Sequence, residues 1–414
     1  MRIISHDVMT VDDSIGGEPV LAGLLHEQDF PVVIPPIKVV NLQAFREHPK
    51  QQATQKPADA QTPEQFHIDA FPEQGRLVRH FVSCLFGLFA LTILPKMKTY
   101  INPVWPGYFA DPFVLRVGDE FWAYGTGPGV DGREFPVLFS KDLVTWEPRG
   151  AAVIPPEHLV GGNFWAPEVA AKDGSYYLYY SGESKGSDAF QKLRVAVAGH
   201  PAGPFVDTGK VLMPDAGFSI DAHPFKDPKD GKWYLFFATD YVDDAPNGTG
   251  LAVVPLGDDL VSVAGKPSLV VRASCDWQIY ERNRDYKGKV WPAWNCVEGP
   301  FVVPHGNKYY CFYSGGAWHT ENYGLGFAVA DHPLGPWKDD AAIHGPTVLK
   351  GVPNRVIGPG HNSVVLGPEN KTLFCVYHAW DVGRTMRRMC IDPLFWTPEG
   401  PKCDGPSYTP RSIE

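Results

Sequence analysis

Five ionisable residues recur in a fixed relation to five aromatic runs. They are Asp111 in ADPFV, Glu168 in WAPEV, Asp221 in IDAHPF, Glu298 in VEGPF and His361 in GPGHNSVV. Each stands 8 to 12 positions ahead of a short strand-like segment: FWAYGTG from Phe121, YYLYYSG from Tyr176, WYLFFAT from Trp233, YYCFYSG from Tyr309 and LFCVYHA from Leu373. The segments start 55, 57, 76 and 64 residues apart, about the length of one four-stranded propeller blade with its loops. In such a fold the first strand of every blade runs along the central channel, so the five residues converge on one mouth. Neighbouring carboxylates raise one another's pKa, which makes the cluster costly as mere scaffold. Separated carboxyls around a neutral substrate suit cleavage of a glycosidic bond. One protonates the leaving oxygen while another activates water or attacks.

The elements that must hold these residues are read from Tyr100 onward, where aromatic and β-branched runs alternate with Gly, Pro, Asp and Asn every 8 to 12 residues. Forty-two Gly and forty Pro fit many short strands joined by tight turns. A second repeat supports the first: LRVAVAGHPAGPFVDTG from Leu193 matches LGFAVADHPLGPWKDD from Leu325, and SKDLVTWEPRG from Ser140 takes the comparable place in the first unit. With 414 residues, 44% hydrophobic and 13% aromatic, the chain can bury a large core as one main domain. The expected class is all-β, a five-bladed β-propeller over residues 99–414.

Residues 1–98 lie outside the repeat and are expected to form a poorly structured extension, because His48 to Gln65 is polar and rich in Gln, Ala and Pro. A short apolar segment, 81–94, follows Arg76, Arg79 and His80. It is too short for a comfortable membrane span, and it sits too deep in the chain for an ordinary signal peptide. No stable membrane span is expected. Translation starting at Met97 is one reading of the extension and implies a cytoplasmic enzyme, the favoured placement; an export signal at 81–94 implies a secreted one.

A net charge of −10 with no Lys/Arg-rich run argues against nucleic acid, since phosphate binding needs clustered cations. Seven widely spaced cysteines without a CxxC read as buried thiols rather than a zinc site.

The five motifs in order, ADP, WAPEV, IDAHPF, VEGPF and GPGHNSV, resemble those of glycoside hydrolase family 43, and the resemblance spans Tyr100 to Arg411. It implies an enzyme with a five-bladed propeller that cleaves pentose glycosidic bonds as an α-L-arabinofuranosidase, β-xylosidase or arabinanase, acting on arabinose- or xylose-containing oligo- or polysaccharides. It further implies inversion, with Asp111 as general base, Glu298 as general acid and Asp221 tuning and positioning the acid. An inverting pair stands about 6.5–9.5 Å apart, leaving room for the water. Glu168 is read as structural or substrate-binding, and Phe164 and Trp165 as the aromatic wall of the sugar site.

The resemblance makes Arg384 the arginine that hydrogen-bonds the sugar; the alternative is that Arg384 belongs, with Arg387 and Arg388, to a basic turn facing solvent. It also places His361 beneath the site, touching a central cation, commonly calcium, through waters. Such an ion would be structural and no cofactor is required. Sucrose- and fructan-acting relatives share the propeller but carry Asn-Asp-Pro, Arg-Asp-Pro and Glu-Cys motifs, which this chain lacks. The insertion between Val271 and Asn295 is expected to wall the pocket, favouring exo action over endo-arabinanase action. A carbohydrate-binding propeller without turnover is the alternative outside catalysis.

Overall fold

The computed structural model describes residues 98–184, 188–339 and 345–413. The expected N-terminal extension and its apolar segment lie outside them. The described residues form strands and two short 3-10 turns, Glu157–Leu159 and Asp276–Gln278. Among them no helix is long and apolar enough to cross a membrane.

Five antiparallel meanders make the five blades. Blade 1 holds Ala110–Val117, Glu120–Thr126, Glu134–Ser140 and Glu147–Ile154; blade 2 holds Asn163–Lys172, Ser175–Glu183, Lys192–Ala198 and Phe205–Val211. Blade 3 holds Ser219–Lys226, Trp233–Tyr241, Gly248–Leu256 and Ser268–Val271. Blade 4 holds Val297–His305, Lys308–Gly315 and Gly324–Ala330 with the short outer pieces Lys338–Asp339 and Leu349–Lys350. Blade 5 holds Ile357–Leu366, Leu373–Trp380, Arg387–Thr397 and Gly400–Cys403. First strands of successive blades pack side by side, and that of blade 5 packs on that of blade 1, which closes the ring. A two-stranded strap, Thr99–Tyr100 against Arg411–Ser412, ties the start of the propeller to its end.

The aromatic runs are the second strands, buried on both faces between neighbouring blades, which is why they read as continuous apolar stretches rather than as alternation. Several of their buried tyrosines place the hydroxyl on an acceptor. Tyr179 donates to the Leu260 carbonyl at 2.7 Å, Tyr313 to Asp339 at 2.8 Å and Tyr377 to Asp392 at 2.7 Å. Cys296, Cys311, Cys375, Cys390 and Cys403 are buried thiols, as the sequence suggests.

One element departs from the repeat. Ile279–Tyr286 and Lys289–Asn295 form a hairpin inserted between blades 3 and 4. Its two-residue turn places Lys287 at φ 53° and Gly288 at φ 72°, the paired positive φ values of the turn that matches strand twist.

Candidate active site

Every first strand bulges at the same point, and the bulge positions the site. The pairing register jumps between Ala110 and Phe113, Trp165 and Glu168, Ile220 and His223, Glu298 and Phe301, and Gly360 and Ser363. Inside each jump one residue adopts a left-handed backbone: Asp111 at φ 49°, Ala166 at 48°, Asp221 at 58°, Gly299 at 59° and His361 at 51°. For non-glycine residues this costs on the order of 1–3 kcal/mol each, and bulges recur where a side chain must be re-aimed. Asp111, Asp221 and His361 are therefore equivalent. Glu298 lies one residue before the bulge and Glu168 two residues after Ala166, so the five ionisable groups do not leave their strands from one common position.

The strained peptide must still place its N–H. In four joints the acceptor is the sixth residue of the preceding blade's aromatic strand. Ala166 donates to Thr126 Oγ1 at 2.8 Å, Asp221 to Ser181 Oγ at 3.1 Å, His361 to Ser314 Oγ at 2.7 Å and Asp111 to His378 Nδ1 at 3.1 Å. In blade 3 that sixth residue is Ala238, which has no acceptor. The Gly299 N–H instead donates to Asp221 Oδ2 at 3.0 Å. A carboxylate thus takes over a structural bond, and it grips the residue next to Glu298.

Asp111 sits beside a guanidinium and two imidazoles. Arg387 Nη1 is 3.0 Å from its Oδ1, His361 Nδ1 3.4 Å and His378 Nδ1 3.1 Å. Burial pushes this carboxyl upward, but Arg387 and then His361 overcome it and hold Asp111 well below the usual carboxylate range. Burial drives His378 down to about 4, so at neutral pH its ring is uncharged and Nδ1 is able to accept the Asp111 N–H. Asp111 is ionised across the physiological range.

Asp221 goes the other way. Burial first, opposed by His361 and reinforced by Glu298 and Asp111, pushes it up to about 7. Glu298 is half-buried, and each of its oxygens has a donor: Tyr323 OH on Oε1 at 2.7 Å and Cys296 Sγ on Oε2 at 3.1 Å. Burial and then the Glu298 carboxylate hold both of those groups far above their ordinary range, so they remain protonated donors. Sequence reasoning missed both donors, although Cys296 stands only two residues before Glu298.

Asp111, Asp221, Glu298 and His361 line one cavity of about 360 Å³, together with Trp165, Trp318, Arg387 and residues of the inserted hairpin. The other expected binding residues are placed elsewhere. Phe164 is buried against Phe135 and Tyr180, at 6.1 and 6.0 Å between ring centroids. Glu168 is buried beneath the mouth, 2.7 Å from His223 Nδ1, whose Nε2 accepts the Val302 N–H at 3.1 Å; this ties blades 2, 3 and 4. Arg384 is exposed, 3.9 Å from Glu321, and does not line the cavity. Arg387, three residues on, does: it clamps Asp111, donates to Tyr108 OH at 2.9 Å and lies 4.6 Å over the Trp318 ring. The same basic run that leaves Arg384 in solvent thus sends one guanidinium into the site, because the strand Arg387–Thr397 begins there and points alternate residues inward.

The residues around His361 do not fit a directly held calcium, which takes six to eight oxygens. Among the described residues no three His, Cys, Asp or Glu side chains converge as a ligand set. Burial pulls the His361 imidazole down, but Asp111, Asp221, Glu298 and Glu168 outweigh it and raise the group toward its charged form. Arg387 adds a fixed positive charge beside Asp111.

Residues 100–401 match the model for glycosyl hydrolases family 43. The chain is 28% identical over 322 residues to beta-D-galactofuranosidase xynD of Aspergillus niger, covering 72% of this chain and 83% of that protein. It is 26% identical to the extracellular exo-alpha-(1->5)-L-arabinofuranosidase ArbA of Cellvibrio japonicus, covering 70% and 84%. A crystal structure of a thermostable family-43 glycoside hydrolase superposes with a TM-score of 0.65 at 32% identity, covering 76% of this chain and 98% of the other. The propeller, the cavity and these matches agree: the chain is a glycosidase that hydrolyses O-glycosyl bonds, and it belongs to glycosyl hydrolases family 43.

Proposed function

We propose that the enzyme removes terminal pentofuranosyl or xylosyl residues from oligo- or polysaccharides by single displacement with inversion. Asp111 is the general base, Glu298 the general acid and Asp221 the residue that positions the acid. The observation that carries this reading is the opposite setting of two carboxyls on one cavity. Asp111 is held ionised by Arg387, while Asp221 is pushed up to about 7 beside Glu298. Asp111 is thereby set to accept a proton, and Asp221 is set to position Glu298 through the neighbouring Gly299 N–H. In the reaction Asp111 takes a proton from the attacking water, and Glu298 delivers one to the departing glycosidic oxygen. Tyr323 and Cys296 keep the Glu298 carboxyl in one orientation. Arg387, Tyr108 and Trp318 flank the base and hold the sugar being cleaved, the role first read for Arg384. Trp165 supplies an apolar wall.

Exo action is favoured by the cavity's size, near the lower end of the roughly 300–1,000 Å³ common for ligand pockets. The hairpin closes it on one side. The similar proteins act at furanosides by their names, so 4-nitrophenyl α-L-arabinofuranoside, β-D-xyloside and β-D-galactofuranoside form the test panel. Release of 4-nitrophenol from at least one, with the first-formed sugar inverted by NMR, is expected. If none is cleaved, and Glu298→Ala changes nothing on any pentosan, the reading fails.

A further inference from the structure

The inserted hairpin carries polar groups that the proton-transfer machinery does not use. Asp240, at the end of blade 3's second strand, lines the cavity with its side chain only 7% exposed. Its Oδ2 is occupied by Lys287 Nζ at 2.9 Å and Tyr286 OH at 3.1 Å, the contacts that fasten the hairpin turn to blade 3. Its Oδ1 is buried and has no donor among the described residues. A buried acceptor left unmet destabilises its surroundings, and a ligand hydroxyl would relieve that.

Beside it, Arg284 projects from the hairpin's first strand into the same cavity. Its guanidinium carbon lies 4.6 Å from the Tyr280 ring centre, 4.5 Å from Tyr286 and 5.4 Å from Trp294, with Glu281 no nearer than 3.7 Å. With no carboxylate nearer than that among the described residues, the guanidinium can offer paired N–H donors to a ligand.

We propose that Asp240 and Arg284 form the subsite for the leaving sugar, reading two of its hydroxyls as acceptor and donor beside the Tyr280 ring. This rests on Glu298 being the acid, because the acid must face the glycosidic oxygen and the leaving sugar lies beyond it. The hairpin's second strand ends at Asn295, three residues before Glu298, whereas Arg387, Tyr108 and Trp318 flank Asp111 on the other side. The ligand class is a neutral sugar with free hydroxyls, as opposed to an aryl leaving group.

The test compares α-1,5-arabinobiose or β-1,4-xylobiose, whichever the enzyme cleaves, with the matching 4-nitrophenyl glycoside, using Asp240→Asn and Arg284→Gln in the full chain. KM for the disaccharide is expected to rise about tenfold, roughly the value of one hydrogen bond to a charged group, so that the disaccharide-to-aryl ratio of kcat/KM falls by a similar factor. Equal losses on both substrates, or an unchanged ratio, overturn the proposal. Disaccharide binding to Glu298→Gln, read by tryptophan fluorescence with and without Asp240→Asn, separates the two readings. Binding weakened by Asp240→Asn supports the subsite even if the unaltered enzyme cleaves no pentoside, while binding indifferent to that change removes it.

Discussion

Four of the five joints between blades and the joint between blades 3 and 4 solve the same problem differently. At the four, a strained N–H meets an uncharged acceptor, Thr126, Ser181, Ser314 or neutral His378. At the odd one, Ala238 offers a methyl and the Asp221 carboxylate accepts instead. Thr126 and Ser181 serve the fold, while Ser314 and His378 do so as uncharged neighbours of Tyr323 and Asp111. Asp221 serves fold and site together, and the cost appears as a carboxyl driven up to about 7 by burial and by its like-charged neighbours. Where a repeat breaks its own rule, in this molecule, a group is being positioned for chemistry.

The sharpest way to break that contrast is to alter Asp221. Asp221→Ala removes both the Gly299 acceptor and the charge, and turnover of a disaccharide should fall by about 10²–10⁴-fold, the range for losing acid–base assistance. Asp221→Asn keeps an acceptor oxygen and loses the charge. A buried carboxyl with a raised folded pKa stabilises the fold most below its unfolded value of about 4, and that contribution is lost as pH rises through about 7. Asn does not titrate. Asp221→Asn should therefore gain Tm relative to the unaltered protein as pH rises from 5 to 8 while remaining impaired in turnover, read by circular dichroism melts beside kcat. A Tm difference that is constant over that range would mean that Asp221 carries no such strain.

Arg387 probes the opposite setting at Asp111. The folded Asp111 carboxyl lies below its unfolded value, so its contribution is present above that value and disappears as pH falls through the folded one. Removing the guanidinium in Arg387→Met raises Asp111, and the acid limb of kcat/KM should move toward neutrality. Each unit of that movement lowers the ionised fraction about tenfold once the limb enters the measured range. A pH profile displaced equally at all values would instead assign Arg387 to sugar binding alone.

Much of this is legible in the sequence. The period of the aromatic strands carries the propeller because each blade must bury a strand on both faces, and the motifs ahead of them carry Asp111, Asp221, Glu298 and His361 to one cavity. The bulges are not legible. Glu168 stands two residues beyond Ala166, the true counterpart of Asp111, and shares the register place of Phe113 and His223, so it lies beneath the mouth against His223. Arg384 and Arg387 are separable only by where the strand begins, a boundary set by pairing with Trp380 rather than by local composition. One signal was present and unread: the sixth residues of the aromatic strands run Thr126, Ser181, Ala238, Ser314 and His378, and the odd member marks the joint that recruits Asp221.

That odd member yields the subtlest test. Ala238→Ser places at blade 3 the hydroxyl that blades 2 and 4 already use, opposite Ile220 as Ser181 is opposite Trp165. The Gly299 N–H then has two acceptors within reach, and whatever it gives to the new hydroxyl it withdraws from Asp221. One hydrogen bond of about 0.5–1.5 kcal/mol is in play, so kcat on a disaccharide should fall by about two- to tenfold. Tm at pH 8 should rise, because the fold no longer depends on a charged acceptor there. Ser314→Ala provides the converse: it strips a neutral joint of its acceptor and should cost Tm, leaving the His361 N–H unmet. If Ala238→Ser lowers Tm at pH 8 as Ser314→Ala does, the five joints are merely packing sites, and the alanine in blade 3 is explained by space rather than by the recruitment of Asp221.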